Sequence, residues 1–397
     1  MRNDRSRLFA LSVLLAACGS SPADTSSEGS GGAAGAGGSW GTGGTDGTGG
    51  TDGTGGTGGT GGAPPAENLT WKKQGAAGPS ARTASAMAYD EKRNVVVLFG
   101  GLECANFPDC TIENDLADLW EWNGSTWTQV AEAGVWPGPR SRHAMAYDPL
   151  REQVVLNGGG GAMMGWNGST WEEIIAYCNF GCPAGRLDHA LAFHKGRGHL
   201  VAFSGVGTAL NDISISVRAD SYELIDDFWH PIDGAEHPDG RVGSQLAYDP
   251  VRDVMWLFGG SSEYSAGFDG YPNDVWMLDE GGWHQVNAGG SAGDTLPWGR
   301  RQAIFAWHPA IQKVVLFGGF SYPATQLVDQ PLYVPEALSV WTWDGDAWEN
   351  RPDWFLKDTF RSDQAAAQDP GTNGIVQFGG ENFVETPTAD THLFGPP

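Results

Sequence analysis

Six arginines recur in one frame along the chain. Arg82, Arg140, Arg186, Arg241, Arg300 and Arg361, most of them closing a Pro-x-x-Arg stretch, are followed 18 positions later by Gly100, Gly158, Ser204, Gly259, Gly318 and Gly379. Each of those residues is followed by another glycine, and only Ser204 departs from the pattern. Between the landmarks lie a turn (Tyr89-Asp90, Tyr147-Asp148, Phe193-His194, Tyr248-Asp249, Trp307-His308, Gln368-Asp369) and a β-rich run such as VVVLFGG or VMWLFGG. Two strands joined by a tight turn fit this, the first half-buried and the second a buried run ending at glycine. Self-similarity at a period of roughly 50 residues marks a propeller or a solenoid.

Behind each glycine pair stands a second landmark. WNGSTW occurs at 122–127 and again at 166–171, and its spacing returns as WDGDAW (Trp343 to Trp348), LDEGGW (Leu278 to Trp283) and LIDDFW (Leu224 to Trp229). An Asn-Gly pair between large aromatics predicts a hairpin with a type I′ turn, which needs positive φ at both central residues. That hairpin brings each repeat to four strands.

These marks, the glycine pair after a hydrophobic strand and the aromatics spaced over the last two strands, resemble the kelch repeat, a four-stranded propeller blade, over residues 69 to 397. The resemblance implies an all-β fold, a six-bladed kelch-type β-propeller. The sixth repeat stops at THLFGPP, one strand short, while NLTWKKQ at 68–74 reads like STWTQV at 125–130 and precedes the first arginine. The Trp71 strand is therefore expected to complete the sixth blade, so that the ring closes and leaves no long unpaired edge.

The domain plan follows. Residues 1–18 have a basic start (Arg2, Arg5, Arg7), an apolar run of about ten residues and small residues before Cys18, the pattern of a secretory signal too short to span a bilayer. Leu15-Ala16-Ala17-Cys18 resembles a bacterial lipobox, which implies lipidation of Cys18, export and anchoring at the envelope, in the outer membrane or at the cell surface. Residues 19–66 are almost wholly Gly, Thr, Ser and Ala, a disordered tether with an end-to-end distance of roughly 35 to 40 Å. Residues 67–397 form the propeller. The spacing of Asp46 and Asp52 does not fit calcium-binding nonapeptides.

Four cysteines remain in two close pairs, Cys104/Cys110 and Cys178/Cys182, read as two loop-stapling disulfides in an exported protein. Their spacing does not suit structural zinc, so no metal and no cofactor are expected beyond weak calcium binding on acidic loops such as 109–118. The net charge is −25, with 48 acidic against 23 basic residues; losing the three arginines and one aspartate of the leader takes it to −27. This argues against nucleic acid as a partner. A monomer is expected, with an envelope protein or glycan as its partner.

The arginine landmark and the glycine pair fall on one face of the ring, where the insertions after the pairs also lie: 102–117, 261–272 and 320–338. Variable loops on a rigid scaffold are where binding is built. The candidate contacts are the six arginines, with Arg140 and Arg186 foremost because His143 and His189 stand three positions after them where other repeats carry Ser85, Ser244, Ala303 and Gln364. A structural use of the arginines at blade junctions competes with this, since all six repeats share them. The histidines are expected to strengthen anion binding as they protonate below about pH 6.5. Three function classes remain: a surface-tethered binding or interaction module (glycan, peptide or envelope partner), a passive envelope protein, and, as the kelch resemblance implies, an enzyme such as a sugar-acid epimerase. Copper oxidase chemistry is disfavoured because it needs a spare thiol and each mature cysteine has a near partner. Catalytic residues are not assigned.

Overall fold

The computed structural model describes residues 68–75, 77–104, 113–130, 136–177, 183, 185–208, 215–262, 270–290, 295–321, 339–369, 373–381 and 387–397. The leader, Cys18, the tether, Cys110, Cys178 and Cys182 lie outside these residues; Cys104, at the end of the strand Leu102–Cys104, is disulfide-bonded.

Six four-stranded antiparallel sheets form a β-propeller. The first strand of each blade is innermost: Ala86–Asp90, His143–Asp148, Ala190–His194, Gln245–Asp249, Arg301–His308 and Ala365–Asp369. These strands touch one another around a closed circle and line the central channel. The sixth sheet is completed by Thr70–Gln74, which pairs with Thr391–Gly395 and sets Trp71 opposite Phe394. The core is divided among the six blade junctions, each with its own apolar cluster. The repeated tryptophans belong to it: Trp122/Trp127, Trp166/Trp171 and Trp343/Trp348 have centroids 5.4, 5.5 and 5.3 Å apart at interplanar angles of 48, 45 and 50°. One cross-strand geometry is thus used three times.

The turn inside WNGSTW is not type I′. Trp122 pairs with Trp127 across a four-residue loop in which Gly124 takes a positive φ of 94°. Asn123 instead accepts hydrogen bonds on its side-chain oxygen from the amides of Ser125 and Thr126. A capping Asn serves this longer loop better than one forced left-handed. Blade three does carry the predicted turn geometry, at Asp226 and Asp227, with φ of 47 and 63°.

The glycine pair has a physical cause. In every blade the second member donates its amide to the carbonyl of the next blade's landmark arginine: Gly101 to Arg140, Gly159 to Arg186, Gly205 to Arg241, Gly260 to Arg300, Gly319 to Arg361 and, closing the circle, Gly380 to Arg82, at 2.7 to 3.2 Å. That carbonyl sits over the first member so closely that a Cβ on Gly158 or Gly259 would lie 2.3 Å from it. Ser204 is the exception that shows the constraint. At φ 55° its hydroxyl donates to the Arg241 carbonyl at 2.7 Å.

Candidate functional site

A second ring of backbone bonds lies two positions after each arginine. Ala84, Arg142, Asp188, Gly243, Gln302 and Asp363 all adopt left-handed backbone, with φ between 51 and 68°. Each of five amides reaches the previous blade's carbonyl: Ala84 to Asp363, Arg142 to Ala84, Asp188 to Arg142, Gly243 to Asp188 and Gln302 to Gly243, at 2.8 or 2.9 Å. Left-handed backbone costs a non-glycine residue on the order of 1 kcal/mol, so the five side chains kept on this ring are kept against local preference.

Those residues, with the next one or two in each blade, line a half-open cavity of about 90 Å³ at the arginine-side mouth of the channel. Its wall consists of Ser85, Arg142, His143, Asp188, His189, Gln245, Gln302, Asp363 and Gln364 with the small Ala84, Gly243 and Ala303. The predicted histidines are therefore both at the mouth. His189 is 6% exposed and His143 7%. Neither nitrogen of either ring has a hydrogen-bonding partner of good geometry among the described residues. Burial, reinforced for His143 by Arg140 and His189 and for His189 by Arg186, pushes both down to about 3; the Phe99 carbonyl opposes this only weakly for His143. They are neutral throughout the physiological range, so protonation near pH 6.5 is not available to them. Loss of water is the reason.

The six landmark arginines do not line the cavity. Each is 4% exposed or less and reaches the carbonyl 18 positions on, at 3.0 to 3.4 Å. Four also pair with an aspartate that opens the third strand of the same blade: Arg82 with Asp118, Arg186 with Asp220, Arg241 with Asp274 and Arg361 with Asp390. At the equivalent place Arg140 meets the Ala162 carbonyl, and blade five carries Ser339. The foremost pair thus differs: Arg186 is ion-paired within its blade, and among the described residues Arg140 is held by carbonyls alone.

Arg142, Asp188 and Asp363 were absent from the sequence reading. Arg142 Nη1 stands 3.3 Å from Asp188 Oδ2. Asp363 is partly exposed to the channel and accepts no side-chain hydrogen bond from the described residues. Burial first, then Asp188 and Glu113, raise its carboxyl from 3.8 to about 6 against the opposing pull of Arg142 and Arg301. The available signal was register: the second position after the arginine differs in every repeat except for the two aspartates. A further insertion also went unread, the ribbon of Val206–Thr208 and Ile215–Val217 on the third blade.

No family model matches the chain, and no curated protein matches it. Among solved structures, one titled "Structure of YjhT" aligns with a TM-score of 0.53 at 15% identity, over 80% of this chain and 96% of that one. At this identity the likeness is one of fold.

Proposed function

We propose that this chain is an exported, kelch-type propeller, lipid-anchored to the bacterial envelope through Cys18 and carried on its 19–66 tether, that binds a small polar ligand or the polar tip of a glycan or peptide at the arginine-side mouth. The observation that carries the binding reading is the polar wall of that cavity, where Asp363 is partly exposed and accepts no side-chain hydrogen bond from the described residues. A half-buried carboxylate without a partner is costly, and a ligand's hydrogen-bond donor offsets that cost. Fold alone would carry no such inference.

The full chain, screened on glycan and metabolite arrays, is expected to retain a polar ligand that Gln245→Leu weakens at least 10-fold without lowering the melting temperature. Hits unaffected by both Gln245→Leu and Gln302→Ala, or no hits, overturn the reading. For the anchor, a fatty-acid analogue fed to cells should label the wild type and leave Cys18→Ser unlabelled; a labelled variant refutes it. Mass mapping should find Cys104 joined to Cys110 and Cys178 to Cys182, and free thiols or a bridge between the two loops would reverse that assignment.

A further inference from the structure

The ring at the mouth also bears on which ligand it takes. Counting round the circle, Asp188 belongs to blade three and Asp363 to blade six, so the two carboxylates face each other across the channel. Arg142 of blade two faces Gln302 of blade five, and the remaining opposed pair, Ala84 and Gly243, brings a methyl and no side chain at all. The result is a slot, open along one diameter and acid-ended along another. Its formal charges are one cation, Arg142, and two anions, with both histidines neutral. Arg142 is turned to Asp188, and Asp363 has no such partner among the described residues.

We infer that the mouth binds a compact polyhydroxylated amine, with the ammonium on Asp363 and within reach of Asp188, and the hydroxyls on the glutamine amides of the wall. This rests on the binding reading above. A ligand with one positive charge balances the slot and supplies N–H donors to a carboxylate that lacks them, the pairing a half-buried anion favours. An anionic ligand would meet Asp363 and compete with Asp188 for Arg142. A bare metal ion would need a third ligand, and the described residues contain no group of three His, Cys, Asp or Glu able to hold one. The acidic surplus of the chain, −25, also raises the local concentration of cations over anions.

The groups acting on Asp363 set the pH response. Arg142 and Arg301 favour its anion, Asp188 and Glu113 oppose it, and His143 and His189 contribute no charge. An ammonium that stays charged from pH 5 to 7.5 should therefore bind more tightly at the higher pH, where Asp363 is ionised.

Calorimetry on the full chain with glucamine, sorbitol and gluconate tests this, because the three share a six-carbon polyol frame and differ in charge. Glucamine is expected to bind at least 10-fold more tightly than sorbitol at pH 7.5, with gluconate weakest. Asp363→Asn should reduce glucamine to the level of sorbitol, as should pH 5 for the wild type, while Asp346→Asn in a hairpin of blade five changes neither. The Asn variant should melt no lower than the wild type at pH 7.5, which separates lost contact from lost fold. Equal binding of sorbitol and glucamine at the mouth, or preference for gluconate, would sink the amine inference and leave the binding reading standing. Failure of all three sugars sinks the amine inference too. The binding reading falls with it only if the array screen also finds nothing that Gln245→Leu weakens.

Discussion

A chain lacking residues 67–75 loses cooperative unfolding and aggregates. The strand Thr70–Gln74 supplies the fourth row of blade six, and its removal exposes the backbone of Thr391–Gly395 as a sheet edge. It also removes Trp71, whose ring lies 4.7 Å from Phe394 and 4.8 Å from Phe317 and whose indole donates to the Trp354 carbonyl at 2.9 Å. Leu69, 4% exposed in the junction between blades five and six, goes with it. A buried leucine and a packed tryptophan are worth about 5 kcal/mol together, a large part of the ~5 to 15 kcal/mol by which domains are stable. Size-exclusion chromatography and a thermal melt decide the matter. A deletion variant that stays monomeric with an unchanged melting temperature would falsify closure by this strand.

Arg241→Met is expected to cost about 3 to 5 kcal/mol, and Arg300→Met less than half as much. Both guanidinium groups are buried, at 2 and 1% exposure. They differ in what they leave behind. Arg241 meets Asp274 through Nη1 at 2.8 Å and Nη2 at 3.2 Å. Burial alone would raise the Asp274 carboxyl, but the hydrogen bonds and charge of Arg241, with the Trp276 indole, hold it below the usual carboxylate range. Removing the arginine strands an anion. Arg300 has no such partner: Nη2 is unbonded among the described residues, and burial pushes the guanidinium down to about 10. Its loss releases an uncompensated cation along with its bonds to the Gly318 and Trp298 carbonyls. The pH dependence follows from the sign of the Asp274 shift. A depressed carboxyl contributes stability above its ordinary titration range and loses it as pH falls, so the defect of Arg241→Met should narrow near pH 4, where Asp274 can take a proton. Urea melts at pH 4 and pH 7 measure both arms, and equal losses for the two variants would contradict the pairing argument.

The periodic part of this structure was legible because it is backbone chemistry that six blades share. An arginine carbonyl above a glycine pair leaves the same mark six times, and the sole break, Ser204, is visible as a break. The Trp71 strand could be placed because a ring one strand short has one place to put it. What escaped was what the repeats do not share. Arg142, Asp188 and Asp363 occupy one structural position and have no common chemistry, so alignment of the repeats averaged them away. His143 and His189 were found by the same logic in reverse, as departures from Ser, Ala or Gln, but their neutral state depends on burial that no single stretch of sequence states. The Asn-Gly turn was misread because loop length, not the dipeptide, decides which residue must go left-handed.

The second ring of backbone bonds joins the blades through main-chain atoms only. What those five bonds contribute is therefore indifferent to which side chains the positions carry, provided each tolerates positive φ. Backbone closure and the lining of the mouth are written in separate scripts on the same residues. The lining of the mouth can then drift or be redesigned one blade at a time, with glycine as the silent letter and Asp, Asn, Gln or Arg as the voiced ones, while the propeller beneath keeps its stability.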